Sequence, residues 1–386
     1  MVYKSAQKLF SRFPSDWPLQ NPYYIWGTGN TARKFCAHMS DLQIEGFLDS
    51  DPQKWGGMVL QAPILNPESV LDDKSVKIIV ASVAYSEIRA VLESKGLEEN
   101  IDFCDSRVFL GVYLWVQKRQ VYITRTDVSI TSHCNLRCKD CNMRIPYYRN
   151  PGHYEPDRIL NDIDLYFQWV DFVEVFHLLG GEPFLHPHVL EITQTLAEKY
   201  RSQMGDLVFF TNGTIIPQKS MLELMREYRI KAFIGDYRLA LQSIQPKVNA
   251  FIETLEKYDV LYETSENSAW SDFNHTETDR SNWNSKQLSE VCRRCCPPFR
   301  GLHDQKFYFC HLSASAALSG HFPEEIGDYF DLSNPTDDRG GELVAFDLGC
   351  IPKKYVSYCR YCGGCAPANI QEVPVAEQLQ IICKRN

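Results

Sequence analysis

The chain is predicted to be an α/β protein in three successive parts: an amino-terminal parallel sheet over residues 1–115, a second strand–helix array over 120–290, and a cysteine-rich extension over 291–386. Three observations carry this. Short apolar runs alternate with helical patterns from Tyr23 onward, loops of glycine and polar residues follow the strand runs, and cysteines crowd into 134–141 and beyond 292. At 386 residues, 44% hydrophobic and 23% charged, the chain suits two or three packed domains.

Several classes are excluded at the outset. No apolar run approaches the ~18 residues of a membrane-spanning helix. The opening MVYKSAQKLFSRFP lacks the apolar core and small residues of an export signal, so a cytoplasmic location is expected. The net charge of −9 is spread evenly, with 11 basic and 14 acidic residues up to Trp115 and 29 and 35 after it. Neither part has the basic excess that a phosphate backbone attracts, so nucleic acid is not an expected partner. Fourteen cysteines are abnormal. In a long chain expected to reside in a reducing compartment, clustered thiols point to metal rather than disulfides.

Elements of the first part read in order as strand Tyr23–Trp26, helix Thr31–Met39, strand Ile44–Leu48, strand Lys77–Ala81 and helix Ser86–Lys95. The first strand-to-helix turn carries Gly27, Gly29 and Ala32, a G-x-G-x-x-A run. Two glycines let the turn tighten and a phosphate approach the backbone, and Ala32 lets helix and strand pack closely. Asp49, 20 residues after Gly29, falls where a ribose-binding acid would sit. The same glycines also serve a turn without a ligand, and both readings stand. IWGTGNTARKF, IEGFLDSDPQKWGG and KIIVAS resemble the Rossmann-like nucleotide-fold domain attached to sugar-modifying acyltransferases and methyltransferases of surface-glycan pathways. That resemblance implies binding of a nucleotide-linked sugar or recruitment of a partner, without chemistry of its own.

In the second part, the strand Asp127–Thr131 runs into SHCNLRCKDC, residues 132–141. Three thiolates at Cys134, Cys138 and Cys141 would hold three irons of a cubane and leave the fourth open to a small molecule. A zinc knuckle completed by His133 or His153 uses the same residues and stays open. Strand Val173–Leu179 ends in Gly180, Gly181, Glu182 and Pro183, and strand Leu207–Phe210 ends in Thr211, Asn212 and Gly213. Polar, glycine-bearing loops at strand ends are where parallel barrels gather ligands. Helices at Asp157–Val170, His188–Tyr200, Lys219–Tyr228 and Gln245–Lys257 separate these strands from others near Lys231 and Val260.

CNLRCKDC, then GGEP, then TNGT resemble the radical S-adenosylmethionine superfamily across roughly residues 120–310. The resemblance implies a partial (β/α)6 barrel, a [4Fe-4S] cluster on Cys134, Cys138 and Cys141, and S-adenosylmethionine on the fourth iron. It places Gly180, Gly181 and Glu182 at the cofactor's amino group, Pro183 in the turn, and Thr211 and Asn212 near the ribose. It further implies reductive cleavage to a 5′-deoxyadenosyl radical that abstracts hydrogen from substrate, fed by an electron donor such as flavodoxin or ferredoxin. The position before the third cysteine, usually aromatic, is Asp140, whose backbone would still serve adenine.

The last part carries Cys292, Cys295 and Cys296, then Cys310, Cys350, and the run Cys359, Cys362 and Cys365, with Cys383 beyond. A four-cysteine zinc ribbon and an iron–sulfur site share such ligands. The pattern is similar to the twitch or SPASM auxiliary-cluster module. The one-cluster form implies a probable auxiliary [4Fe-4S] cluster on Cys296, Cys310, Cys359 and Cys362, with Cys292 or Cys295 as substitutes for Cys296. Cys350, Cys365 and Cys383 are unassigned, and Gln305 replaces a glycine usual before Cys310.

Trp270, Asp272 and His275 are candidate substrate contacts, more simply a loop. His303 and His311 flank Cys310 without being expected ligands; Tyr147 and Tyr148 are expected to pack, and Asp236 is a candidate polar contact. The expected function is radical chemistry on a sugar or nucleotide-linked sugar of a glycan pathway, by dehydrogenation, epimerisation or dehydration. The alternatives are maturation of a ribosomal peptide and a non-catalytic zinc scaffold.

Overall fold

Apolar runs pair as parallel strands in both of the units into which the chain divides, Met1–Tyr122 with Gly340–Cys350 and Ile123–Arg339 with Ile351–Asn386. The computed structural model describes residues 22–73, 75–266, 269–273, 278–295, 299–334, 338–364, 369 and 371–379. Cys296, Cys365, Cys383 and His275, all singled out by the sequence, lie outside the described residues.

The first unit holds β1 (Tyr23–Trp26), α1 (Asn30–His38), β2 (Ile44–Leu48), β3 (Met58–Val59), β4 (Ala62–Leu65), β5 (Lys77–Val80), α2 (Tyr85–Ser94), β6 (Phe103–Asp105) and α3 (Ser106–Lys118). Its sheet runs β3-β4-β2-β1-β5-β6, parallel except for the β3–β4 pair. Ile25, Leu48, Ile79 and Phe103 are fully buried, which is why these short strands read as unbroken apolar runs rather than alternating ones. The Asp105 carboxylate caps α3 by accepting from Arg107 N at 2.8 Å. The eleven residues 340–350, expected within the cysteine-rich part, pack in this unit instead. Their helix, Arg339–Asp347, is seated by glycine: a Cβ at Gly340 would lie 2.1 Å from the Trp115 ring.

The second unit begins with β7 (Tyr122–Thr131), α4 (Pro156–Phe167), β8 (Phe172–Gly180), α5 (Val189–Tyr200), β9 (Met204–Thr211), α6 (Lys219–Glu227), β10 (Lys231–Asp236), α7 (Gln245–Lys257) and β11 (Tyr262–Glu266). It continues with β12 (Ala269–Ser271), α8 (Ser285–Arg294), β13 (Arg300–His303), β14 (Lys306–Tyr308), α9 (His311–Leu318), β15 (Tyr329–Asp331) and β16 (Glu372–Pro374). The main sheet has the order β11-β10-β9-β8-β7-β13-β14-β15. β11 to β8 pair in parallel, as do β7 and β13, and the hairpin β13–β14 turns the sheet antiparallel. The carboxyl ends of β7 and β8 meet where Gly181 N donates to Thr131 O at 2.8 Å, so these neighbours run the same way. Thus the ends of β7, β8 and β9 lie on one rim.

β7 extends five residues earlier than its sequence pattern suggests. The charge of Arg125 hides the strand, but its guanidinium forms a two-pronged pair with Asp127 (2.7 and 3.0 Å) and lies on the Phe299 ring. Gln305 explains the missing glycine: with Asp304 it adopts a left-handed conformation (φ 54° and 61°) in a two-residue hairpin turn. The Asp162 carboxylate holds that turn, accepting from Asp304 N at 2.7 Å and Gln305 N at 2.8 Å.

Candidate functional site

The cysteine loop grows from the end of β7. Ser132 anchors its root, with Ser132 N donating to Gly152 O at 2.9 Å and Gly152 N donating back to Ser132 Oγ at 2.8 Å. N–H groups then face two of the sulfurs. Leu136 N lies 3.4 Å and Asn212 Nδ2 3.7 Å from Cys134 Sγ, Gln378 Nε2 lies 3.3 Å from Cys138 Sγ, and Arg144 N donates to Cys141 O at 2.8 Å. Burial nevertheless pushes the Cys134 thiol up to about 12 and Cys138 and Cys141 up to about 11. Three neighbouring thiols, one buried and two half-buried, with donors aimed at two of the sulfurs fit a group that brings its own positive charge and binds them as thiolates. Among the described residues no three His, Cys, Asp or Glu side chains gather round one ion-sized point. A cubane instead seats each thiolate on a separate iron.

The glycine pair abuts this loop. A Cβ at Gly180 (φ 149°) would lie 2.2 Å from Thr131 O, and one at Gly181 would lie 2.1 Å from His133 O. Only glycine lets the end of β8 lie against the root of the loop. Glu182 is fully buried, and its carboxylate turns inward, accepting from Thr211 Oγ1 at 2.8 Å, Asn212 N at 2.9 Å and Phe184 N at 3.3 Å. Burial raises it to about 7 against those bonds. Its side chain therefore ties β8 to β9, leaving the backbone of 180–182 to meet any ligand. Asn212 reaches the loop itself, donating to Asn135 Oδ1 at 3.0 Å, while Thr214 accepts from Asn135 at 2.7 Å.

Some residues of this site gave no sequence signal. Tyr237 stands near the three thiols, half-buried, its hydroxyl pushed up by desolvation and then by their proximity, and it lies edge-on to Trp270 at 5.3 Å. The carboxyl-terminal stretch also pairs with the loop: Lys139 N donates to Glu377 O at 2.7 Å and Leu379 N to Arg137 O at 2.8 Å. Asp140 and Arg144 both lie by Tyr147. Asp236 is committed to Arg238 at 2.6 Å, and the Asp272 backbone pairs with Gln371 and Asn369.

A second thiol group assembles from separated segments. Cys292, at the end of α8, hydrogen-bonds with Cys359, and Cys295, Cys310 and Cys362 lie close enough to oppose one another's ionisation. Cys310 occupies the N-cap position of α9, and Gly364 N lies 3.3 Å from Cys362 Sγ. Arg280 clamps the C-x2-C loop through Cys359 O at 3.1 Å and Cys362 O at 2.6 Å. Burial pushes Cys310 and Cys362 up to about 12. His303 packs on Tyr154 at 4.8 Å and His311 approaches Ser129 at 3.5 Å. Cys350 belongs to the first unit.

In that unit, Gly27 (φ 127°) lets β1 pass β5, since a Cβ there would lie 2.3 Å from Ala81 O. Gly29, the N-cap of α1, has an ordinary φ of −84° and open space where a Cβ would stand. Asp49 accepts from Thr28 at 2.5 Å, Lys54 at 2.9 Å and Asp51 N at 3.0 Å, and these bonds outweigh burial to hold it below its usual range.

Residues 128–269 match the Radical SAM superfamily model. Over 122 residues the chain is 30% identical to a GTP 3',8-cyclase of Microcystis aeruginosa (strain NIES-843 / IAM M-2473), covering 31% of this chain and 34% of that one. Over 123 residues it is 28% identical to the antilisterial bacteriocin subtilosin biosynthesis protein AlbA of Bacillus subtilis (strain 168), covering 31% of this chain and 24% of the relative. The chain thus spans about a quarter to a third of the length of these curated relatives. A solved structure of polyhistidine-tagged anSMEcpe with bound AdoMet is similar at 14% identity and a TM-score of 0.43, covering 63% of this chain and 89% of that one. The stretch that is similar to the Radical SAM superfamily, residues 128–269, carries the three cysteines, the paired glycines and the TNGT turn on one rim.

Proposed function

We propose that the protein is a radical enzyme whose first cluster sits on Cys134, Cys138 and Cys141 in a partial (β/α)6 barrel, with an auxiliary cluster in a twitch-like module. One observation supports this most: three neighbouring thiols, two of them faced by N–H donors, with Gly181 closing against the His133 carbonyl. When bound, the cluster and S-adenosylmethionine supply reductive cleavage to a 5′-deoxyadenosyl radical, which takes hydrogen from the substrate. The chain binds, orients and excludes water. Backbone atoms of 180–182 and the turn 211–212 receive the cofactor, and Tyr237 with Trp270 shields the sulfurs. Cys310, Cys359 and Cys362 hold the auxiliary cluster with Cys292, Cys295 or Cys296, and flavodoxin or ferredoxin supplies the electron.

The substrate is a sugar or nucleotide-linked sugar. Supporting this, the Rossmann-like first unit leaves open space beside Gly29, at an uncapped helix start, and places Asp49 and Lys54 nearby. The second reading is a peptide substrate, favoured by the similarity to AlbA, whose name places it in bacteriocin biosynthesis. Anaerobic purification with iron and sulfide analysis tests the chemistry. Cys138→Ala is expected to reduce 5′-deoxyadenosine formation to background; product at the parent rate, or zinc without sulfide, overturns the reading. Mass measurement of ligands retained by the full chain decides the substrate class, a co-purifying nucleotide-sugar supporting the first reading.

A further inference from the structure

Arg144 follows Cys141 by three residues, in a left-handed conformation (φ 57°), and is only 4% exposed. Among the described residues no carboxylate stands within ion-pairing reach of it. Its Nε has no hydrogen-bond partner, and Nη1 reaches the Tyr358 hydroxyl at 3.5 Å. The guanidinium lies over the rings of Phe322 at 4.7 Å and Tyr147 at 5.6 Å. Aromatic faces offset only part of the cost of taking a cation out of water, and a buried charge needs an opposite one.

Arg144 links the two cysteine-bearing stretches of chain. Its backbone N–H donates to Cys141 O at 2.8 Å. Its side-chain charge favours ionisation of Cys362 and of Tyr358, the residue before Cys359. Free thiols are neutral and give the cation no counter-charge, whereas metal-bound thiolates do.

We infer that Arg144 is the counter-cation of the second cysteine site, offsetting the negative charge it acquires on binding an iron–sulfur cluster and favouring its more negative, reduced state. This rests on the two-cluster reading above. The role is electrostatic positioning, without contact to substrate. The charge is what matters: lysine would preserve it, while methionine or glutamine would fill the space without it.

The test is an EPR-monitored redox titration of the cluster-loaded full chain and of its Arg144→Met, Arg144→Gln and Arg144→Lys variants. Glutamine keeps a polar head should methionine prevent folding. The neutral variants are expected to lower the equilibrium constant for one-electron reduction of the auxiliary cluster about tenfold, a potential about 59 mV more negative, with Arg144→Lys shifting less. A shift in the neutral variants no larger than that of the lysine variant overturns the inference while leaving the two-cluster reading intact. Iron and sulfide for a single cluster in the unsubstituted protein overturn both.

Discussion

The two cysteine groups are built in opposite ways. The first takes three sulfurs from eight consecutive residues on a loop that β7 delivers to the rim, and the rest of the fold only closes round it. The second draws sulfurs from α8, the start of α9 and the 359–362 turn, so it exists only after those segments have met. Spacing alone describes a site of the first kind. A site of the second kind depends on what carries each cysteine into place, here the β13–β14 hairpin, Asp162 beneath its turn and the Arg280 clamp.

The largest effects separate the two groups directly. Cys138→Ala is expected to end cofactor cleavage, whereas Cys362→Ala is expected to remove about four irons per chain and leave the first site able to cleave S-adenosylmethionine. Iron quantitation beside a 5′-deoxyadenosine assay reads both, and equal loss of product in the two variants would break the distinction. A smaller effect tests how rigidly the rim is set. Gly181→Ala, with its Cβ against the His133 carbonyl, is expected to cost roughly 3 kcal/mol in urea unfolding. Gly29→Ala, into open space, should cost under about 1 kcal/mol while weakening retention of any nucleotide.

A pH-dependent effect belongs to the hairpin that brings Cys310 to its site. Burial pushes the His303 imidazole down to about 4, with Arg158 adding to the shift. Since the unfolded chain titrates near 6.5, it takes up a proton that the folded chain refuses between these values. Stability is therefore complete above about pH 6.5 and falls as pH drops toward 4. Between pH 7 and pH 5 the loss is about 2 kcal/mol, and His303→Gln should remove it. Urea midpoints at the two pH values check this; an unchanged slope in the variant would clear His303.

Much of the framework was readable beforehand, for identifiable reasons. Ile78, Ile79 and Val80 announce a buried parallel strand, and the expected helix Thr31–Met39 differs from Asn30–His38 by one residue at each end. Helix α4 stops at Phe167 rather than Val170 because Trp169 turns aside to donate to Leu332 O at 2.9 Å. In contrast, α3, with VFLGVYLW in its middle, shows no clean stripe, being packed on more than one side. Nothing local told that residues 340–350 return to the first unit. The site shows the same division. Cysteines and glycines stand in recognisable spacing, but Arg144, Tyr237 and Gln378 matter through their surroundings, and the GGEP motif did not reveal that the Glu182 carboxylate faces inward.

The bond from Gln378 to Cys138 spans 240 positions of chain. Until the ribosome has released residues 377–379, the loop at 137–139 lacks its outer wall, and the sulfurs are open to whatever delivers iron. Once Glu377 and Leu379 dock on Lys139 and Arg137, the same loop is roofed. The fold thereby orders its own closure: the outer wall of the loop is made long after the loop itself.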